Sequence, residues 1–212
     1  LNGKKKNFAF LKKGHNMLIC FDMDGVLVDA CELHKVSLEL AMQEELGYTI
    51  SDEDHYSKFN GLPTKKKLEI LGLSKEKIEI INNKKQEYTL NLIEKCIHLD
   101  QQKIDLLDYL KKSGYLLACV TNSVEKTTHI MLKKTGIFDY FDLIVTNESV
   151  KNPKPSPEPY LFAMDKLNST PENTIIIEDS NTGIKSAKAS NASVIIVKNP
   201  TEVTLENLKN KI

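Results

Sequence analysis

Asp22 and Asp24 stand two residues apart, where the apolar run 17–21 gives way to Gly25. Buried strands end in this way, and sites in open α/β sheets lie beyond the strand C-termini. Burying two carboxylates is unfavourable unless a cation, a shared proton or hydrogen bonds offset the charge. The pair therefore calls for a ligand. Three further segments carry residue types that could meet one. Thr121, Asn122 and Ser123 follow an apolar run, Lys154 sits between Pro153 and Pro155, and Glu178 and Asp179 close another apolar run. Each has a plain alternative: a surface turn for the Asp-x-Asp-Gly segment, a helix cap for Thr121–Ser123, a surface lysine, a solvated acidic loop. Helix starts can cap and bind phosphate together. The four segments in this order carry an argument that none carries alone.

The elements that must position them follow from periodicity. Five short apolar segments read as buried strands over 18–21, 116–120, 143–145, 174–177 and 193–197. Helical patterns over 105–112, 124–135, 159–167 and 180–190 lie between or before the last four, and 205–212 closes the chain. Gly136 reads as a helix stop, and Ser156-Pro157-Glu158 as an N-cap, a first-turn proline and a first-turn acid. Strands alternating with helices imply a parallel sheet covered on both faces. The first strand breaks the rhythm, because about seventy residues without a convincing strand follow Asp29. Helices are expected there over 32–46 with Gly47 as the stop, 52–59, 64–71 and 78–97. A helical block inserted at the end of a strand where sites form has the layout of a lid.

Composition narrows the function classes. The 212 residues suffice for a sizeable core plus an inserted module, and 41% apolar content is ordinary for a globular chain. With 29 basic and 29 acidic residues the formal charge is zero, which speaks against a broad nucleic-acid surface. The short basic runs Lys4–Lys6, Lys65–Lys67 and Lys84–Lys85 read as solvated faces. Cys20, Cys31, Cys96 and Cys119 form no zinc spacing and no CxxC, which fits a reducing, cytoplasmic setting. No apolar run reaches membrane-spanning length. Residues 1–16 are basic without a following apolar core and read as a tail, tag remnant or leader, with folding beginning near Met17.

The order and spacing of the four segments resemble the haloacid dehalogenase superfamily of phosphohydrolases over essentially all of 17–200. The closest likeness is to the branch with a helical cap after the first motif, which holds β-phosphoglucomutase and many small sugar-phosphate phosphatases. The run from Glu178 to Ala187 is similar to that branch's fourth motif nearly throughout. The resemblance implies an α/β fold: a Rossmann-like three-layer parallel-sheet core over 17–30 and 98–212, with an all-helical cap over 31–97. It also implies roles. Asp22 is the expected nucleophile, and Asp24 the expected acid and base, needing a raised pKa to hold its proton at the start. Thr121, Asn122 and Lys154 are expected on the phosphoryl group. Mg²⁺ is expected on Asp22, Asp179, the Asp24 carbonyl and Glu178, the last directly or through water.

In the cap, His34 matches a histidine near the substrate or the general acid, with an ordinary surface or core histidine as the alternative. Gly61 and Thr64 fall in a loop similar to one that touches substrate. Thr64 stands near where β-phosphoglucomutase is expected to carry an arginine. Lys84 falls roughly at a cap lysine of that branch, against a solvated helix face. The usual Ser or Thr at position 30 is Ala30. The expected activity is a Mg²⁺-dependent phosphatase acting on a small phosphorylated metabolite such as a sugar phosphate. A β-phosphoglucomutase-like mutase is the alternative, and a non-catalytic binding protein of the same fold the more distant one. Asp24 argues against dehalogenation, whose enzymes replace it. Neither a nucleic acid nor a membrane is an expected partner, and a monomer is the default.

Overall fold

The computed structural model describes residues 17–59 and 61–212, with Tyr56 described through its backbone alone; the expectation for 1–16 lies outside the described residues. Five strands, β1 (Leu18–Phe21), β2 (Leu116–Val120), β3 (Leu143–Val145), β4 (Thr174–Glu178) and β5 (Ser193–Ile196), form one sheet in the order β3-β2-β1-β4-β5, and every pairing is parallel. β1 is therefore central, with β2 on one side and β4 on the other. The chain reverses its direction of sheet growth there, the place where α/β sheets open a crevice.

The alternation along the strands explains the three layers. Ile19 and Phe21 of β1 and Leu117 and Cys119 of β2 face one apolar cluster. It is completed by Leu106, Leu107 and Leu110 of helix α5 (Gln101–Lys112) and Met131 and Leu132 of α6 (Glu125–Lys134). Leu18, Cys20, Ala118 and Val120 face the other side. There they meet Tyr160, Ala163 and Met164 of α7 (Glu158–Lys166) and Ala187 of α8 (Asn181–Ala189). A strand buried on both faces needs apolar residues at every position, and the four residues of β1 are all buried.

Between β1 and α5 lie α1 (Cys31–Leu46), the short α2 (Asp52–Asp54) running into a π-helical turn (His55–Phe59), α3 (Thr64–Ile70) and α4 (Lys75–Cys96). They bury their own apolar cluster, in which Leu38, Ala41 and Met42 of α1 meet Leu68 of α3 and Ile78 and Ile81 of α4. Leu33 and Ile93, near the roots of α1 and α4, pack instead into the sheet's cluster. Gly47 ends α1 in the left-handed region with φ +74, its amide bonded to Gln43 O. Ala30 precedes α1 with no side-chain cap, as the missing hydroxyl implies.

Several boundaries differ from expectation. The segment 52–59 is not one α-helix but α2 and a π turn. The helix α7 begins after Pro157, although Ser156 Oγ still accepts from Glu158 N at 3.2 Å. The last helix, α9, covers only Leu205–Leu208. Long apolar periodicity survives these shifts because packing rather than end chemistry decides it.

Candidate active site

The strand ends deliver the site. Asp22 directly follows β1 and donates its amide to Ile177 O at 3.0 Å, so the ladder fixes its backbone. The chain then turns sharply: Leu27 N and Val28 N both reach Met23 O at 2.9 Å, and Gly25 has φ +90. A Cβ at position 25 would overlap the Asp179 carboxylate, so glycine serves both the turn and the close approach. Thr121 directly follows β2, its amide bonded to Val145 O at 2.8 Å. The segment around Lys154 has no regular structure and is held by side chains. Asn122 Oδ1 accepts from Lys154 N and Asn122 Nδ2 donates to Lys154 O, each at 3.0 Å. The Glu158 carboxylate accepts from Lys151 N at 2.8 Å and Asn152 N at 3.0 Å.

Lys154 is the electrostatic centre. Its Nζ donates to Asp22 Oδ1 at 2.7 Å, Glu178 Oε1 at 2.6 Å and Val120 O at 2.7 Å, which uses its three protons. Burial opposes its charge, but Asp22 and Glu178 outweigh burial and hold its pKa above the ordinary lysine value. Glu178 is fully buried and saturated. Its Oε1 also accepts from Tyr160 OH at 2.6 Å, and Oε2 from Asp179 N at 3.1 Å. Burial pushes the Asp22 pKa up, Lys154 pulls it back, and Glu178, Asp179 and Asp24 leave it well above the usual carboxylate range. Burial and the Glu178 charge raise Asp179 to about 7.

This surplus of negative charge fits a cation. Asp22, Glu178 and Asp179 can each place an oxygen within 4.8 Å of the others, and Asp179 Oδ1 is buried with no hydrogen-bond partner. An all-oxygen donor set suits a hard cation such as Mg²⁺. Glu178, with its oxygens engaged, has less to offer directly than Asp22 and Asp179.

Asp24 sits in a second network. His34 Nε2 lies 3.1 Å from Asp24 Oδ1, Ser123 Oγ donates to Asp24 Oδ2 at 2.7 Å, and Thr121 Oγ1 lies at 3.5 Å from the same oxygen. Lys85 Nζ stands 2.9 Å from His34 Nδ1. A lysine ammonium can only donate, so Nδ1 accepts and Nε2–H points at Asp24. Burial and Lys85 lower the His34 pKa against the pull of Asp24. Burial works against ionising Asp24, yet His34, Ser123 and Lys85 together lower its pKa. The expected raised pKa is thus corrected: the nearby positive charges of His34 and Lys85, with the hydrogen bonds of His34 and Ser123, outweigh desolvation.

Asp22, Asp24, His34, Gly61, Thr64, Thr121, Asn122, Lys154 and Asp179 line one cavity of about 390 Å³ between the sheet edge and the helical segment. Glu178 lies behind it, against Lys154. The Asn122 side chain is engaged between two loops, donating also to Gly61 O at 2.8 Å, so it ties the helical segment down rather than facing the cavity freely. Lys84 is a correction. It pairs with Glu45 at 2.6 Å on the outer face of α4, whereas its neighbour Lys85 turns inward and is buried. One step along a helix turns a side chain by about 100°. Lys67 likewise turns in from a run expected to be solvated. Lys85 and Lys67 were the residues that sequence reading set aside as parts of solvated runs. A run of lysine conceals the mixed burial of α3 and α4.

Comparison with known proteins bears on this geometry. A family model described as haloacid dehalogenase-like hydrolase matches residues 19–197. A phosphorylated carbohydrates phosphatase of Thermotoga maritima is 29% identical over 176 residues, 81% of this chain and 80% of the relative. A pyrophosphatase, PpaX, of Bacillus velezensis is 31% identical over 170 residues, 76% of this chain and 74% of the relative. The fold matches the crystal structure of β-phosphoglucomutase from Clostridium difficile with a TM-score of 0.80 at 24% identity, covering 93% of this chain and 97% of that one. The chain belongs to the haloacid dehalogenase-like hydrolases, has phosphatases among its relatives, and shares the fold of β-phosphoglucomutase.

Proposed function

We propose that this hydrolase is a Mg²⁺-dependent phosphatase that hydrolyses a small phosphorylated metabolite through an aspartyl-phosphate on Asp22. The observation that carries the reading is Lys154, buried and bonded to Asp22 and Glu178, beside the unpartnered Asp179 oxygen. Two carboxylates and an orphaned oxygen around one lysine suit an anion that arrives with a cation. The names of the relatives support the same class: besides the carbohydrate phosphatase and the pyrophosphatase, a phosphoglycolate phosphatase of Nitrosococcus oceani is 28% identical over 185 residues.

The cation would be held by the Asp22 and Asp179 carboxylates and the Asp24 backbone carbonyl, with Glu178 acting through Lys154 and the Asp179 amide. When bound, it would screen the carboxylates from the phosphoryl oxygens. Lys154 and the Thr121 hydroxyl draw the phosphoryl group against the sheet edge. An Asp22 oxygen attacks phosphorus, the ester P–O bond breaks, and Asp24 supplies the proton to the leaving oxygen. The dianionic substrate itself raises the Asp24 pKa toward the protonated form needed then. Water next attacks the aspartyl-phosphate; Asp24, held as a carboxylate by His34 and Ser123, takes its proton. We take 31–97 as the cap and 17–30 with 98–212 as the catalytic core. Asn122 holds Gly61 O and so keeps the cap loop near the reaction.

Four free cysteines support a reducing compartment, and among the described residues no helix is long and apolar enough to cross a membrane. The test is phosphate release across phosphorylated sugars, nucleotides and short acids with Mg²⁺. Release that stops with a chelator and in Asp22→Asn, together with a phosphoryl adduct trapped on Asp22, is expected. Glucose 6-phosphate formed from β-glucose 1-phosphate and a bisphosphate primer, without free phosphate, would make it a mutase instead.

A further inference from the structure

The two oxygens of Asp24 stand in different company. Oδ1 faces His34 Nε2 at 3.1 Å, and Lys85 Nζ, 2.9 Å from Nδ1, makes Nε2 the ring nitrogen that bears the proton. A ring N–H only donates, so Oδ1 can accept there but cannot keep a proton of its own. Oδ2 faces hydroxyls. Ser123 Oγ lies at 2.7 Å and Thr121 Oγ1 at 3.5 Å. A hydroxyl both donates and accepts, so its bond to Oδ2 survives whether or not that oxygen carries a proton. Ser123 is the close partner of the two, and its place is fixed by the core. Its amide donates to Thr121 Oγ1 at 3.0 Å, and its carbonyl accepts from Asn147 N at 3.3 Å. The same Oγ stands 3.4 Å from His34 Nε2, so hydroxyl and imidazole flank the carboxyl from adjacent sides.

We propose that Ser123 is the positioning residue of the acid step, holding the proton of Asp24 on Oδ2, while His34 serves the carboxylate that receives the proton of water. The inference rests on the phosphatase reading and divides the labour within it. In the acid step the ester P–O bond breaks, its electron pair stays on the leaving oxygen, and the Oδ2 proton passes to that oxygen. Asp24 is then a carboxylate, with Ser123 donating to Oδ2 and His34 to Oδ1 as the structure has them. Without the Ser123 hydroxyl, Oδ2 loses its one partner within 3 Å among the described residues, and the protonated carboxyl group is free to turn. The loss then falls on substrates whose leaving oxygen needs a proton. An alkoxide or phenolate needs one; a nitrophenolate, stable as an anion, does not.

The test compares phenyl phosphate and glycerol 3-phosphate with 4-nitrophenyl phosphate, reading kcat/KM because it reports the step in which the ester breaks. Ser123→Ala should lose at least about 10-fold more on the first two than on the third, a part of the 10²–10⁴ that acid–base catalysis supplies. Ser123→Thr, which keeps a hydroxyl, should recover most of that difference. Phosphoenzyme should not build up in Ser123→Ala on phenyl phosphate, in contrast to His34→Asn, a split that mere structural damage would not produce. A loss equal on all three esters, no recovery in Ser123→Thr, or phosphoenzyme accumulating in Ser123→Ala each overturns the proposal. Failure of the covalent reading looks different. Phosphate release with no adduct trapped on Asp22 in any variant would sink that reading, yet a loss that follows the leaving group would still sustain the role of Ser123, since direct attack by water needs the same acid. A trapped adduct with a loss blind to the leaving group would do the reverse.

Discussion

Gly183, in the first turn of α8, lies directly against the Glu178 carboxylate; a Cβ there would overlap all three of its terminal atoms. Nothing in its backbone demands glycine, because no positive φ is found there. The space alone requires it. Glu178 cannot yield easily, since its oxygens are bonded to Lys154, Tyr160 and the Asp179 amide. Gly183→Ala should therefore displace the glutamate and, through it, Lys154. We expect a loss of about 1–3 kcal/mol in denaturant unfolding, as for overpacked cores. A drop in phosphatase turnover of at least about 10-fold should accompany it, because the group that holds Asp22 moves. A variant that keeps full turnover would show that Glu178 has room the geometry does not reveal.

Lys154→Met removes one member of a buried trio and leaves Asp22 and Glu178 facing each other. Breaking a buried ion pair from one side costs about 3–5 kcal/mol, more than the pair contributes relative to apolar replacement. The double variant Lys154→Met with Glu178→Gln should recover part of the stability, because one charge is then gone, but none of the activity. Chemical denaturation of the single and double variants checks the first statement, and phosphate release the second.

His34 acts through Asp24. Its Nε2 is 3.1 Å from the carboxylate and its Nδ1 faces Lys85. His34→Asn should slow kcat by about 10²-fold, the scale of acid–base catalysis, with little change in KM. Aspartyl-phosphate should accumulate, because the water step relies on the oriented Asp24 carboxylate. Lys85→Met should raise the His34 pKa, which Lys85 lowers, and so move the pH dependence of kcat upward. Lys84→Met, on the outer face with Glu44 and Glu45, should leave turnover within about twofold, as for surface positions. A stopped-flow burst of phosphoenzyme in wild type and variants measures each step.

The sheet was legible in the sequence because β1 and β2 are apolar at every position and β4 at its three central ones, the pattern of strands buried on both faces. The convergence of Asp22, Thr121, Lys154 and Asp179 was legible because each lies just past a strand or between fixed prolines. The inward lysines were not. Lys67 and Lys85 are buried while the other lysines of their runs are exposed or half-buried, and a run of one residue type carries no periodicity to separate faces. The pKa of Asp24 was also hidden, because its lowering depends on His34 and Lys85 arriving from α1 and α4.

Lys67 supplies a stability test with a definite sign. Asp24 favours its ammonium and the neighbouring Cys31 thiol stays neutral through burial, while Lys85, His34 and His55 are the basic groups within its electrostatic reach. Burial is the largest influence and lowers its pKa from 10.5 to about 8. Below pH 8 the lysine is charged in both states and the folded state bears the full cost of burying it. Between pH 8 and 10.5 the unfolded chain binds more protons than the folded one, so stability rises with pH through that window. The gap between the two values corresponds to about 3 kcal/mol at about 1.4 kcal/mol per pH unit. Lys67→Met should therefore be more stable than wild type near pH 7, and its advantage should shrink as pH climbs from 8 toward 10.5. Urea unfolding of both proteins at pH 7 and pH 10 reads the difference directly, with other titrating groups cancelling between them. An advantage that is absent at pH 7, or that grows toward pH 10, would mean that the ammonium is already solvated, and the cost of an uncompensated buried charge would fall away.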